Sequence, residues 1–205
     1  MFGVEKHLEN LYNRFKQELE AVNGECHRVE NVQQACELIH NVFRANDVYR
    51  VVIAKETAKP QNHDEGNGRT FASALARLAD HLGQAGITVL TDNYRENAVN
   101  AEAGITGVQW AIAETGTLVQ VASDVNERLC STLPPIHVAL ALTGTLVATL
   151  ADVLRMIQNS SLVPGFVGFI TGPSRTSDIE RVLTIGVHGP VRLVAVFVDR
   201  LERND

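Results

Sequence analysis

The chain has 205 residues, of which 45% are hydrophobic and 20% are charged, and its formal net charge is −6. This length and composition are typical of one globular domain with a sizeable core, and they exclude a disordered chain. The acidic balance argues against a nucleic-acid-binding protein, because affinity for nucleic acid depends on lysine and arginine side chains that neutralise phosphates.

The first two elements that the sequence predicts are helices. Apolar residues recur at helical spacing over residues 5–22 and again from Val32 to Phe43. The short β-branched run Val48–Ala54 predicts the first buried strand. Because two helices precede this strand, we expect residues 1–46 to form an N-terminal helical segment and residues 47–205 to form an α/β domain.

The middle of the chain begins with a polar stretch rich in turn formers, Lys55–Arg69, which predicts a long loop. We expect a helix, a strand and a second helix after it, at Phe71–Gln84, Ile87–Leu90 and 92–103. Two apolar runs, Val108–Ala113 and Thr117–Ala122, then flank a short acidic turn. This pattern predicts a β-hairpin.

The last third of the chain alternates between strand and helix patterns. We expect a buried strand, an amphipathic helix, a strand, a short helix and a final strand, at Ile136–Leu142, Leu146–Ile157, Gly165–Thr171, Ser177–Leu183 and Val191–Val198. Strands that alternate with helices predict an α/β domain with a largely parallel sheet, to which the hairpin adds antiparallel strands.

Cysteine spacing and hydropathy bear on the compartment. The three cysteines, Cys26, Cys36 and Cys130, are odd in number and widely spaced, which favours reduced thiols and a cytoplasmic protein over a disulfide framework. The most apolar segment, residues 136–154, contains several polar residues. It falls short of the clean span of about 20 residues that a membrane helix needs, so we expect no membrane insertion.

Metal and cofactor motifs are absent from the sequence. There is no C-x-x-C, and no two histidines have H-x₃-H or H-E-x-x-H spacing. No G-x-G-x-x-G or P-loop follows any predicted strand. We therefore expect no metal site, no iron–sulfur cluster and no cofactor in this chain.

The segment GPSRTSDIE, residues 172–180, has two interpretations. An S-x-x-E motif with Asp178 in the first turn is a capping box, so the segment could be only the start of a helix. Capping does not require Arg175, or the hydroxyl groups of Ser174 and Thr176. A guanidinium beside a helix N-terminus can instead bind a small carboxylate or phosphate. A pairing of Asp178 with Arg175 would close such a site.

Three further side chains are candidates for chemistry. His188, in GVHGP, is an acid or base near neutral pH, or a turn histidine that bonds only the backbone. Glu114 lies at the hairpin tip, where desolvation suits a carboxylate to proton transfer or nucleophilic attack, although turns also accept glutamate for solubility. Arg128 is an anion ligand or a partner of a neighbouring acid. Because strand ends converge in an α/β sheet, we expect Glu114, His188 and Arg175 to meet in one pocket.

Four segments in this order resemble the LUD-domain family, and within it the lactate-utilisation C group: AIAETGTLVQ, an arginine followed by LPPIHVAL, ITGPSRTSDIE and GVHGP. The resemblance covers roughly residues 48–198. It implies a NagB/RpiA/CoA-transferase-like fold, a three-layer α/β/α domain with a mostly parallel mixed sheet. It also implies a cytoplasmic role in the oxidation of L-lactate to pyruvate beside two cysteine-rich partner proteins, which would carry the iron–sulfur clusters.

The resemblance also implies a set of site residues. Glu114 and His188 are the expected catalytic residues. The expected ligand-binding residues are Thr115, Gly116, Arg128, Gly172, Ser174, Arg175, Thr176, Asp178 and Gly189. Three hypotheses remain open: an accessory subunit of a lactate-oxidising complex, a stand-alone enzyme that acts on a phosphorylated or acyl-thioester substrate through Glu114, and a purely structural assembly role.

Overall fold

A computed structural model describes residues 2–54, 71–122, 124–159, 165–177, 183–185 and 189–201. The helices are α1 (Phe2–Ala21), α2 (Val32–Arg44), α3 (Phe71–Gln84), α4 (Tyr94–Asn100), α5 (Val125–Thr132) and α6 (Leu150–Asn159). The strands are β1 (Glu25–Asn31), β2 (Arg50–Ile53), β3 (Thr88–Leu90), β4 (Ala103–Gly107), β5 (Trp110–Ile112), β6 (Thr117–Ala122), β7 (Ile136–Leu142), β8 (Leu146–Val147), β9 (Phe166–Ile170), β10 (Arg175–Ser177), β11 (Leu183–Ile185) and β12 (Arg192–Arg200). The predicted loop at Lys55–Arg69 lies outside the described residues.

The main sheet has six parallel strands in the order β1-β12-β7-β4-β2-β3. Alternate residues of its central strands face opposite layers, as period-2 geometry requires. One face packs against α2 and α3, and the other packs against α1, α4 and α5. The protein is therefore a three-layer α/β/α domain, as the resemblance implies.

The predicted hairpin belongs to a second sheet. Strands β5 and β6 are antiparallel, and with β8 and β9 they form a four-stranded sheet in the order β8-β5-β6-β9. Its two faces pack against α1 and α6. The antiparallel strands thus form a sheet of their own and do not extend the parallel one. Strands β10 and β11 form a separate antiparallel pair.

Strand β1 corrects the expectation of a purely helical segment at residues 1–46. It lies between α1 and α2 and pairs in parallel with β12, with Cys26 opposite Ala195. Its sequence, ECHRVEN, lacks the apolar run of a central strand because β1 is at the edge of the sheet. Helix α1 packs against this same sheet, so residues 1–46 supply one strand and two of its covering helices.

Other differences from the prediction have local causes. Strand β4 has the sequence AGITG and is fully buried. Its glycine at position 104 is needed because a Cβ there would lie 1.9 Å from the carbonyl oxygen of Cys130 in α5. Helix α5 itself was not predicted. The helix expected from Leu146 begins at Leu150, because Leu146–Val147 pairs with β5 as β8.

Among the described residues, no helix has the length and apolarity to cross a membrane.

His137 is a buried titratable group in the centre of the main sheet. Its side chain is 0% exposed, and Nε2 lies 2.9 Å from the Thr106 hydroxyl. Nδ1 has no hydrogen-bond partner among the described residues. Burial disfavours the charged imidazolium and lowers the pKa of His137 from 6.5 to about 4.

We predict that His137 makes the fold acid-sensitive. Above pH 6.5 the imidazole is neutral in both the folded and the unfolded chain. Between pH 6.5 and 4 only the unfolded chain takes up the proton, so the free energy of unfolding should fall by up to roughly 3 kcal/mol. Urea unfolding across this pH range should show a steeper loss for the native protein than for His137→Gln. Equal slopes would contradict the assignment.

Candidate functional site

The C-terminal turn of α1 is the meeting point of two motif segments. One is the β5–β6 turn with the sequence ETG, and the other is the segment TGPSR that follows β9. Each segment presents a glycine with positive φ to this turn: φ is +62° at Gly116 and +79° at Gly172. Side chains other than glycine rarely adopt this conformation, which explains glycine at both positions.

Gly116 also has no room for a side chain. A Cβ at this position would lie 2.4 Å from the backbone nitrogen of Leu19 and 2.8 Å from the carbonyl carbon of Glu18. The backbone of the hairpin turn therefore packs directly on the backbone of α1. Leu19 is fully buried beneath it, in a cluster that includes Leu118 and Ala113.

Gly172 and Arg175 contact the end of the same helix. A Cβ on Gly172 would lie 2.9 Å from the carbonyl oxygen of Val22, and the Arg175 guanidinium donates a hydrogen bond to that oxygen. Carbonyl groups at a helix C-terminus lack intrahelical partners and carry partial negative charge, so a cation is stabilised there. Arg175 therefore acts as a cap of α1 in this structure.

A chain of hydroxyl groups joins the two motif segments. Thr115 Oγ1 and Thr117 Oγ1 are 2.7 Å apart, and Thr117 Oγ1 is also 2.7 Å from Thr171 Oγ1. Thr117 is 5% exposed, so these bonds are shielded from water. The chain holds the hairpin turn against the residue that precedes Gly172.

Glu114 contacts a different helix. Its Oε1 accepts a hydrogen bond of 2.7 Å from the backbone N–H of Leu150, the first residue of α6. Its own N–H donates to the carbonyl of Ala148 at 3.2 Å. A carboxylate is stabilised at a helix N-terminus by the unpaired amides and the helix dipole. The expected catalytic carboxylate is thus bonded to the start of α6.

Ser174 and Gly189 bring the two C-terminal motifs together. The Ser174 N–H donates to the carbonyl of Pro190 at 2.8 Å, and a Cβ on Gly189 would lie 3.2 Å from the Ser174 Cβ. The Val191 N–H donates to the carbonyl of Pro135 at 2.9 Å. The segments LPP, GPSR and GP therefore meet at the amino ends of β7 and β12, and not at the carboxyl ends of the parallel strands.

Arg128 contacts the end of β9 that is opposite to the turns on α1. It is on α5, and its guanidinium carbon is 4.7 Å from the centre of the Phe166 ring, at the start of β9. The arrangement is a cation–π contact that attaches α5 to the second sheet. Because β6 and β9 run antiparallel, the start of β6 lies beside the end of β9. The turns containing Gly116 and Gly172 are at this end of β9, where they contact α1.

The expected helix at Ser177–Leu183 is wrong at both ends. Arg175–Ser177 is strand β10, and Thr176 pairs with Thr184 of β11. Ser177, the first residue of the capping-box pattern, pairs with Leu183 of β11. Strand pairing therefore prevails over the local capping signal at this residue. Among the described residues, Arg175–Ser177 therefore supplies strand amides and not those of a helix N-terminus. Asp178 and His188 lie outside the described residues.

Sequence reasoning missed the interior partners of the motifs. Gln120 is 2% exposed; its amide nitrogen donates to the carbonyl of Glu127, and its Oε1 accepts from the Ser131 hydroxyl at 2.8 Å. The glutamine within the apolar run TLVQVA was the available signal.

In the described part of the chain, no group of three or more His, Cys, Asp or Glu residues could hold a metal ion.

Comparison with known proteins identifies similar sequences. Residues 12–198 match the LUD domain. The lactate utilization protein C of Anoxybacillus flavithermus is 36% identical over 82% of this chain and 78% of that protein, and the one from Oceanobacillus iheyensis is 28% identical over 83% and 79%. The match to the Halalkalibacterium halodurans protein of the same name is 35% identical over 51% of this chain, and it spans only 47% of that protein's length.

Similarity to a solved structure supports the fold. A DUF162 family protein from Deinococcus radiodurans superposes with a TM-score of 0.55 over 93% of this chain and 98% of that chain. The two sequences are 20% identical. At this identity the likeness extends to the α/β/α fold alone.

We predict that a methyl group on either motif glycine weakens the attachment of α1. Gly116→Ala and Gly172→Ala should each lower the free energy of unfolding by at least about 2 kcal/mol, because both combine a positive φ with contacts below 3 Å. The matched control is Gly83→Ala in α3, where a Cβ meets nothing within 4 Å. That change should leave stability unchanged or raise it by up to about 1 kcal/mol. Equal effects at all three positions, measured by denaturant unfolding, would contradict the packing.

Proposed function

Because the chain belongs to the LUD-domain family, we propose that it is a component of the bacterial system that oxidises L-lactate to pyruvate, acting with iron–sulfur partner proteins. The observation that carries the proposal is the similarity to proteins named lactate utilization protein C, over most of the chain in two of them. The described residues of the segments that carry the resemblance also contact one another in the fold.

The positions of the cysteines support iron–sulfur chemistry in partner proteins. Cys26, Cys36 and Cys130 are all buried, and each lies in a different hydrophobic cluster. An iron–sulfur cluster needs several thiolates around one centre, which this separation does not provide. Burial also raises the pKa of the thiols of Cys26 and Cys130 to about 12, so both are poor ligands and nucleophiles. Thiols that form no disulfide fit the proposed cytoplasmic location.

The partners in this proposal are two cysteine-rich iron–sulfur proteins, which would carry electrons away from lactate. The chain itself is then a non-redox subunit that supports the complex. In the alternative, a stand-alone enzyme that used Glu114 as its nucleophile, one oxygen of this carboxylate would stay bonded to the Leu150 amide at the start of α6. This contact gives Glu114 a structural role, which supports the accessory subunit.

We predict that growth on L-lactate depends on this chain and that its partners purify with it. Deletion of the gene in its host should abolish growth on L-lactate and leave growth on pyruvate unchanged. The tagged protein should co-purify with proteins that contain iron and labile sulfide. The protein purified alone should not reduce a dye with L-lactate.

Two results would contradict this proposal. Normal growth of the deletion strain on L-lactate would show that lactate utilisation does not require this chain. Lactate-dependent dye reduction by the isolated chain would replace the accessory role with a catalytic one.

A further inference from the structure

Strand β9 is an edge strand of the second sheet. In the order β8-β5-β6-β9 it pairs with β6 on one side, and no other strand in the described part of the chain pairs with it. Its sequence, FVGFI, carries no charged residue, and Phe169 is 45% exposed. An apolar edge of this kind is a template for pairing with a further strand.

The other sheet edges of the described chain are protected against such pairing. Strand β1 carries Glu25, Arg28 and Glu30, and charged side chains on an edge discourage a further strand. Strands β3, β10 and β11 have three residues each, and β8 has two. Strand β9 has five residues, of which two are phenylalanine. Among these edges, β9 is therefore the one best suited to accept another strand.

The hydrogen bonds of β6 show which backbone groups of β9 point outward. The Val119 carbonyl accepts from the N–H of Gln109, and the Val121 N–H donates to the side chain of Gln109, so both residues direct their backbone groups away from β9. Val119 faces Phe169 and Val121 faces Val167. Two residues that face each other in an antiparallel pair direct their backbone groups either both toward each other or both away. The N–H and C=O groups of Val167 and Phe169 therefore point to the open edge.

The sequence of β9 is complementary to itself at this edge. In an antiparallel pair of two β9 strands centred on Gly168, Val167 of each strand faces Phe169 of the other, and Phe166 faces Ile170. The outward groups of Val167 and Phe169 then exchange two N–H···O bonds in each facing pair. Aromatic and β-branched side chains that face each other across strands stabilise a sheet, and no like charges meet.

We propose that two copies of this chain form a dimer through antiparallel pairing of their β9 strands, about a two-fold axis at Gly168. The two four-stranded sheets become one sheet of eight strands, and the assembly closes because one patch meets its own copy. Backbone direction and side-chain pairs both match at this register, which favours a second copy over an unrelated extended peptide. The proposal goes beyond the role in lactate utilisation and does not depend on it.

The size of the interface sets the expected affinity. The pairing involves five residues on each side, whereas a stable interface has about 20–30. We therefore expect a dimer that dissociates in the micromolar range.

Sedimentation velocity across the micromolar range tests the dimer. The mass should rise with concentration from the 22.4 kDa of one chain to twice that value. Val167→Pro removes an outward N–H and keeps the bonds of β9 to β6, and Phe169→Lys places a charge at the edge. Each change should raise the dissociation constant at least about tenfold. The matched control is Val99→Lys, at a 66% exposed position on α4, which should dimerise like the native protein.

Disulfide cross-linking tests the register. The native cysteines are buried, so introduced thiols react selectively. The double variant Val167→Cys/Phe169→Cys should form a covalent dimer under mild oxidation, because facing residues have Cα atoms about 5.5 Å apart, within disulfide range. Phe169→Cys alone should cross-link far less, because the two copies of position 169 are diagonal neighbours, about 7–8 Å apart.

Each part of the proposal has a result that overturns it. A chain that stays at 22.4 kDa throughout the micromolar range would overturn the dimer, and a mass beyond two copies would overturn the closed two-fold. Dimerisation that Val167→Pro and Phe169→Lys leave unchanged would overturn the β9 interface. Equal cross-linking of the single and double cysteine variants would overturn the register. Thermal unfolding of each variant checks the fold first, and Phe169→Lys decides if Val167→Pro does not fold.

Discussion

The close contact between the last turn of α1 and two glycine turns determines how the motif segments are arranged. Backbone meets backbone there, with room for no Cβ on Gly116 or Gly172. Each turn brings polar groups into a fixed position: Thr115 and Thr117 on the hairpin, and Arg175 after β9. Because both turns contact one helix, the second sheet is attached to the layer that covers the main sheet.

This arrangement changes the chemical interpretation of the motifs. Glu114 and Arg175 were expected to act on a ligand, yet Glu114 is bonded to the N-terminus of α6 and Arg175 to the C-terminus of α1. Each charge has the sign that the helix end stabilises. Glu114 and Arg175 therefore hold helix ends in place, which supports the accessory role proposed above. Whether Asp178 and His188 add a ligand site to this frame stays a prediction.

Much of the fold could be predicted from the sequence where burial leaves a periodic pattern. Helices α2 and α3 and strand β7 show clear apolar periodicity, and their predicted bounds agree with the structure to within a residue or two. Strand β1 was missed because an edge strand carries polar residues, and β4 was missed because close packing of α5 requires Gly104. At Ser177 a local capping pattern conflicts with strand pairing, and pairing prevails. The partners of Glu114 and Arg175 are backbone groups of distant helices, which no motif reveals.

Hydrogen exchange at the end of α1 tests most directly whether the motif arginine fastens this helix. The N–H groups of Val22, Asn23 and Gly24 donate to carbonyls of the last turn of α1, so they report on its opening. If Arg175 caps this turn, Arg175→Gln should accelerate exchange of these amides about fivefold, as loss of about 1 kcal/mol requires. The amides of α3 should be unaffected, as should the end of α1 in Arg95→Gln. Unchanged exchange at Val22, Asn23 and Gly24 in Arg175→Gln would contradict the account.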